Sequence, residues 1–139
     1  MNGEAMVQRA EAVARKAHEG QFRRDGTTPY IVHPEAVVGR VGEDPTRRAV
    51  AWLHDVVEDT DLTLADLEAE GFPPAVLEGV QLMTHDDGTP YRAYVERLRQ
   101  SDVARAVKRA DLLSNLADGP SDRQIVKYAQ ALLQLVDER

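Results

Sequence analysis

The stretch Ala51-Trp-Leu-His-Asp-Val-Val-Glu-Asp-Thr60 sets four ionisable side chains, His54, Asp55, Glu58 and Asp59, in an otherwise apolar run. Read as one helix at about 100° per residue, the four fall within an arc of roughly 140°. Val50, Trp52, Leu53, Val56 and Val57 take most of the remaining surface. A helix that is apolar on most sides is buried, so the polar arc is expected to face a cleft or a bound ion. Asp55 is a helical neighbour of both Glu58 and Asp59, an unfavourable pairing of like charges. The three also crowd the end of the run, where the helix dipole repels carboxylates. A cation or raised pKa values would offset that repulsion, and the stretch therefore reads as part of a metal site.

The rest of the chain reads as helix. The 139 residues, 42% hydrophobic and 29% charged, suit a single domain spanning 1–139 with a proper core. An apolar stripe through Ala5, Met6, Ala10, Val13, Ala14 and Ala17 predicts a first helix over 2–18. Pro34 and Asp44-Pro45 mark the starts of the second and third helices, with His33 at the N-cap of the second or just before it. Thr63 caps a fourth segment that stops at Gly71. Further helices are expected over 74–83, after Thr89-Pro90, after Ser101 and from Ser121 or Asp122 to about Val136. No strand alternation, repeat or low-complexity tract is evident. The expected architecture is an all-α bundle of about six to eight helices with short loops.

Composition narrows the chemistry. With no cysteine, a disulfide framework and a thiolate metal site are excluded. Any metal is left to His, carboxylate and water. A formal charge of −7 argues against binding duplex nucleic acid through the whole surface. No segment approaches the roughly 18 apolar residues of a membrane span, and the charged N-terminal helix does not resemble a signal peptide. The expectation is a cytoplasmic protein with a small-molecule partner, no nucleic acid and no membrane. The pattern specifies no oligomeric state.

A transition ion needs more ligands than His54 and Asp55 provide. His33, in PYIVHP, is the best additional nitrogen. Asp111, at the edge of the apolar stripe in DVARAVKRADLLSNLAD, is the best additional oxygen, with Lys108 and Asn115 about one turn to either side. Each residue alone has a plainer reading: His33 a structural histidine, Asp111 a surface or capping residue, the carboxylate cluster a solvated helix end. They gain weight because together they would complete one site. Arg23 and Arg24, in a polar loop, could hold phosphate oxygens in bidentate fashion, or be solvated.

In order, AHEGQFRRDGTTPYIVHP, LHDVVEDT and VKRADLLSNL resemble motifs of HD-domain metal-dependent phosphohydrolases. They are most similar to the (p)ppGpp pyrophosphohydrolase domains of the RelA/SpoT type and to small stand-alone hydrolases like them. The resemblance spans roughly residues 14 to 118. It implies a helical HD fold holding one divalent ion, usually Mn²⁺, on His33, His54, Asp55 and Asp111. Glu58 and Asp59 would correspond to the catalytic carboxylates that position and activate water. Arg23 matches a basic loop residue that contacts nucleotide and phosphates, and Asn115 would lie beside the substrate. With Arg24 and Lys108, these form the expected substrate-binding set. The implied activity is release of the 3′ pyrophosphate from (p)ppGpp. Hydrolysis of another phosphorylated nucleotide or metabolite, or a non-catalytic nucleotide-binding module, are the alternatives.

Two departures from the family pattern bear on the substrate surface. A threonine-lysine pair usual in the long hydrolases is replaced by Thr84-His85. In the downstream motif a leucine becomes Arg109 and an arginine becomes Leu112. His85 and His18 carry no implied role. His85 reads as a surface residue and His18 as structural.

Overall fold

The computed structural model describes residues 1–137, and among them it contains nine helices. These are α1 (Gly3–Ala17), α2 (Val32–Val38), α3 (Pro45–Leu53), α4 (Val56–Asp59), α5 (Leu64–Ala69), α6 (Pro74–Met83), α7 (Tyr91–Leu98), α8 (Asp102–Leu116) and α9 (Asp122–Val136). The only strand-like feature among the described residues is a single bridge, Phe22 to Pro29.

Capping chemistry sets most of the boundaries. Asn2, Asp44 and Ser101 each accept an amide from the first turn of the helix they precede. Thr63 with Asp66, and Ser121 with Gln124, form capping boxes at α5 and α9. Gly71, at φ 96°, ends the α5 region in a conformation that L side chains avoid.

Helix α3 is the centre of the bundle, packing against α1, α2, α6 and α8. Its Ala49, Val50, Ala51 and Leu53 are wholly buried. Small residues let its neighbours approach. Ala10 and Ala14 of α1 are fully buried in the same core, and Gly79 of α6 lies directly against Val50. The core runs continuously from Met6 to Leu135.

The all-α bundle stands as expected, with one more helical segment than the eight at the top of that range. The addition arises because 51–60 is not one helix. Helix α3 ends at Leu53 and α4 is a separate turn after His54 and Asp55. The imidazole Nδ1 of His54 lies 2.7 Å from the carbonyl oxygen of Ala51, the acceptor that an unbroken helix would give to the amide of Asp55. His33 also differs from its expected place. It sits inside the first turn of α2, whose N-cap is Ile31.

Between α1 and α2 the chain forms a tight loop. The amide of Arg23 donates to Thr28 and that of Tyr30 to Gln21. Asp25 accepts from the amides of Thr27 and Thr28 and from the Thr28 hydroxyl. This loop delivers Arg23 and Tyr30 to the same side of the molecule as the N-terminal end of α2.

Candidate metal centre and substrate cleft

His33 from α2, His54 and Asp55 from the break after α3, and Asp111 from α8 meet in one place. Nε2 of His33 is 2.8 Å from Oδ1 of Asp111, and Nε2 of His54 is 3.1 Å from Oδ2 of Asp55 and 3.5 Å from Oδ1 of Asp111. Oδ2 of Asp55 is also 3.9 Å from Nε2 of His33. Donor atoms of His33, His54 and Asp111 fall within 4.8 Å of one another, as do those of a second triplet, Asp55, Glu58 and Asp59.

The donor set fits a divalent cation. If Nδ1 of His54 donates to the Ala51 carbonyl, Nε2 carries the lone pair. That Nε2 is buried without a hydrogen-bond partner among the described residues, and carboxylate oxygens lie on two sides of it. A proton or a metal ion is what such a cluster of acceptors attracts. Burial works against a charge on His54, but the Asp55 and Asp111 carboxylates outweigh it and raise its pKa well above the ordinary value. The same negative field would hold a metal.

Neighbouring groups fix the ligands. The hydroxyl of Tyr30 donates to Oδ2 of Asp55 at 2.6 Å. Lys108 Nζ donates to Oδ2 of Asp111 at 3.0 Å and Asn115 Nδ2 approaches Oδ1 at 3.3 Å. Burial alone would raise the pKa of Asp111, but the Lys108 ammonium and the two imidazoles hold it well below the carboxylate range. Burial likewise opposes the charge on Lys108, and Asp111 overcomes it.

Glu58 and Asp59 are exposed at the mouth of the cleft. Loss of surrounding water raises both their pKa values, and the nearby Asp55 carboxylate adds to this. The main-chain N–H of His85 donates to Oε1 of Glu58 at 2.7 Å, and the Tyr30 hydroxyl lies 3.4 Å from Oδ2 of Asp59.

A cleft of about 310 Å³ surrounds the centre. Of the residues expected to bind substrate, Arg23, Lys108 and Asn115 line it. Arg23 contacts Asp118 at 2.9 Å and Asn115 at 3.4 Å and lies over the Tyr30 ring. Arg24 does not line the cleft and is exposed on the loop. Arg24 begins the turn that follows Arg23, at the tip of the loop.

His85 is not a surface residue. It is half-buried, stacks on Tyr94 with ring centroids 4.6 Å apart and lines the cleft. His18 is buried, 2.8 Å from Gln21 and against the Tyr30 ring, as a structural residue would be. The lining residues Tyr91 and Tyr94 of α7 and Lys127 and Tyr128 of α9 were not expected from the sequence. Tyr30 lies within a motif already singled out. The α9 pair has no local signal, because its place depends on how α9 packs against α7 and α8.

No family model matches the chain. Curated sequences do. The chain is 38% identical over 119 residues to the guanosine-3′,5′-bis(diphosphate) 3′-pyrophosphohydrolase of Vibrio cholerae, covering 81% of this chain and 17% of that protein. It is 35% identical over 127 residues to a GTP pyrophosphokinase of Streptomyces coelicolor, covering 88% of this chain and 15% of that one. It is 38% identical over 119 residues to the bifunctional (p)ppGpp synthase/hydrolase SpoT of Escherichia coli, covering 81% and 17%. The chain thus spans about a sixth of the length of these relatives. Among solved structures, a metazoan SpoT ortholog that hydrolyses ppGpp superposes with a TM-score of 0.80 at 27% identity, over 96% of this chain and 86% of that one.

Fold and site together define the class, an all-α bundle of the HD-domain type. Within that class the chain is a relative of the RelA/SpoT-type (p)ppGpp hydrolases.

Proposed function

We propose that this chain is a divalent-metal-dependent phosphohydrolase that cleaves the 3′ pyrophosphate from (p)ppGpp. The observation that carries the reading is the convergence of His33, His54, Asp55 and Asp111 beneath Glu58 and Asp59 in one cleft. The names borne by the sequence relatives and by the structural neighbour support the substrate. The ion assigned is manganese, which a mixed set of imidazole and carboxylate donors suits. The reading extends to a single domain, a cytoplasmic location and a small phosphorylated nucleotide as partner. Among the described residues, no helix is long and apolar enough to cross a membrane.

A bound divalent ion supplies a lower pKa for water and charge neutralisation at phosphate. Hydrolysis adds the elements of water across the bond between the 3′ oxygen and its phosphorus, giving GDP (or GTP) and pyrophosphate. Glu58 or Asp59 holds the attacking water and accepts its proton, a role supported by the burial and the Asp55 carboxylate that raise both pKa values toward neutrality, where a general base works best. The His85 amide holds the Glu58 carboxylate in one orientation. Tyr30 fixes Asp55, while Lys108 and Asn115 fix Asp111. Arg23 and Lys127 supply positive charge at the cleft wall for the substrate's phosphates, and the Tyr91 and Tyr94 rings supply apolar surface.

The test is incubation of the purified chain with Mn²⁺ and ppGpp, following pyrophosphate release. Stoichiometric release is expected. Intact ppGpp, with turnover of another phosphorylated nucleotide, would favour the second reading. That reading is motivated by Thr84-His85 standing where the similar hydrolases carry threonine-lysine. Binding without turnover of any substrate would leave the non-catalytic module.

A further inference from the structure

On the far side of α8 from Asp111, a second groove of about 590 Å³ is lined by Arg40, Arg47, Arg105 and Arg109, with Asp102 as the only acid among the described residues that line it. It shares no lining residue with the metal cleft. Asp102, Arg105, Ala106 and Arg109 recur at helical spacing. At about 100° per residue their stripe lies roughly opposite Lys108, Asp111 and Asn115. Arg40 comes from the turn after α2 and Arg47 from the first turn of α3. Val41, Ala106 and Val136 make an apolar floor.

Two features set this groove apart from a solvated charged face. In a chain of formal charge −7, none of its four arginines forms an ion pair with a described residue. Two of them are also held in place. Arg40 Nη1 donates to the buried Ser114 hydroxyl at 3.2 Å, and Arg105 Nε donates to the Leu135 carbonyl at 2.8 Å. Both anchors are neutral and leave the charges of Arg40 and Arg105 intact, so four guanidinium groups face the single carboxylate of Asp102, and the terminal nitrogens of Arg105 form no hydrogen bond with a described residue. Guanidinium groups in such an arrangement match phosphate oxygens in bidentate geometry. The volume lies in the range of small-ligand sites.

We propose that the Arg40–Arg47–Arg105–Arg109 groove is a second anion site, binding a di- or triphosphate group, separate from the metal cleft. The ligand is either a free oligophosphate or the phosphate chain of a nucleotide whose base lies on Val41 and Val136. The proposal does not depend on the activity assigned to the cleft.

Isothermal titration of the whole chain with pyrophosphate, and separately with GDP, tests it, without added metal and at low salt. One pyrophosphate site per chain is expected in the wild type, because the metal-free cleft, with Asp55, Glu58, Asp59 and Asp111, repels anions. Its affinity should fall at least tenfold in Arg47→Ala/Arg109→Ala, while the variant retains its circular dichroism. Tighter binding of GDP than of pyrophosphate would assign the site to nucleotides, and equal or weaker binding to free oligophosphate. No binding by the wild type, or unchanged binding in the double variant, would overturn the proposal. Since Arg47 and Arg109 lie outside the cleft, a wild type that binds pyrophosphate in this groove but leaves ppGpp intact with Mn²⁺ would count against the hydrolase reading alone.

Discussion

The main-chain N–H of His85 donates to Oε1 of Glu58 at 2.7 Å, joining the loop after α6 to the one-turn helix α4. A carboxylate held by a backbone amide keeps its place when its charge is removed, because an amide oxygen also accepts. Glu58→Gln should therefore preserve the cleft and lose only proton acceptance. Turnover is expected to fall roughly 10²- to 10⁴-fold, the usual contribution of a positioned base. Metal content, measured by elemental analysis, should not change. A variant as active as the wild type would remove Glu58 from the mechanism.

Asp111 answers a different question. Its Oδ1 faces both imidazoles and its Oδ2 neutralises Lys108. Asp111→Asn should lower metal affinity at least 10-fold, since even outer partners of metal ligands cost 10- to 100-fold. It should also lower thermal stability, because breaking one side of a buried pair costs about 3–5 kcal/mol. Adding Lys108→Met removes the orphaned charge. Stability should then recover while metal retention stays low. Recovery of both would show that Asp111 holds Lys108 and not the ion.

Arg23 and Arg24 are neighbours in sequence with different expected effects. Arg23 lines the cleft and is held by Asp118 and Asn115, whereas Arg24 is exposed. Arg23→Ala should raise KM for ppGpp about tenfold, about 1.4 kcal/mol, with a smaller change in kcat. Arg24→Ala should leave both within twofold. Steady-state kinetics with Mn²⁺ check the pair, and equal effects would mean that the loop moves to bring Arg24 in.

These contrasts show what was legible in the sequence. Helix boundaries were, because Asn2, Asp44, Thr63, Ser101 and Ser121 cap by local hydrogen bonds that reach only three residues. The four candidate ligands were, because LHD, PYIVHP and KRAD carry them as short motifs, and the structure brings all four together. The break after Leu53 was not. Periodicity cannot register that the His54 ring takes the Ala51 carbonyl. Lys127 and Tyr128 were not legible either, since α9 reaches the cleft only through its packing on α7 and α8. His85 read as a surface residue because its link to Glu58 is carried by a backbone amide, which no side-chain pattern reports.

The loop that carries Arg23 has its own pH dependence. Asp25 accepts from the Thr28 hydroxyl and from two amides, which lower its pKa to about 2 from an ordinary 3.8. A carboxyl with a depressed folded-state pKa stabilises the fold above its unfolded value, and the contribution is lost as pH falls through the folded one. Asp25→Ala should thus lower Tm at pH 7. The difference from wild type should shrink as pH falls through 3.8 and lose its charge-dependent part only below pH 2. A constant difference across that range would mean that the loop is not held by the charged form.

Gly79 tests the packing of α6 on α3, which helps position the His54 break. A methyl group there would come within 2.7 Å of Val50 Cγ2 and 3.2 Å of Cγ1. Two effects oppose each other in Gly79→Ala. Helix propensity favours alanine by about 1 kcal/mol, while overpacking a well-filled core costs about 1–3 kcal/mol. Val50 is wholly buried and β-branched, with little rotamer freedom to yield. The clash should win, and Tm should fall. Val50→Ala in the same chain removes both contacting methyls. It should then make room for the methyl added at position 79, so that the double variant is more stable than the two single losses summed. Additive losses in thermal melts would show that the helices separate without Val50 being the obstacle.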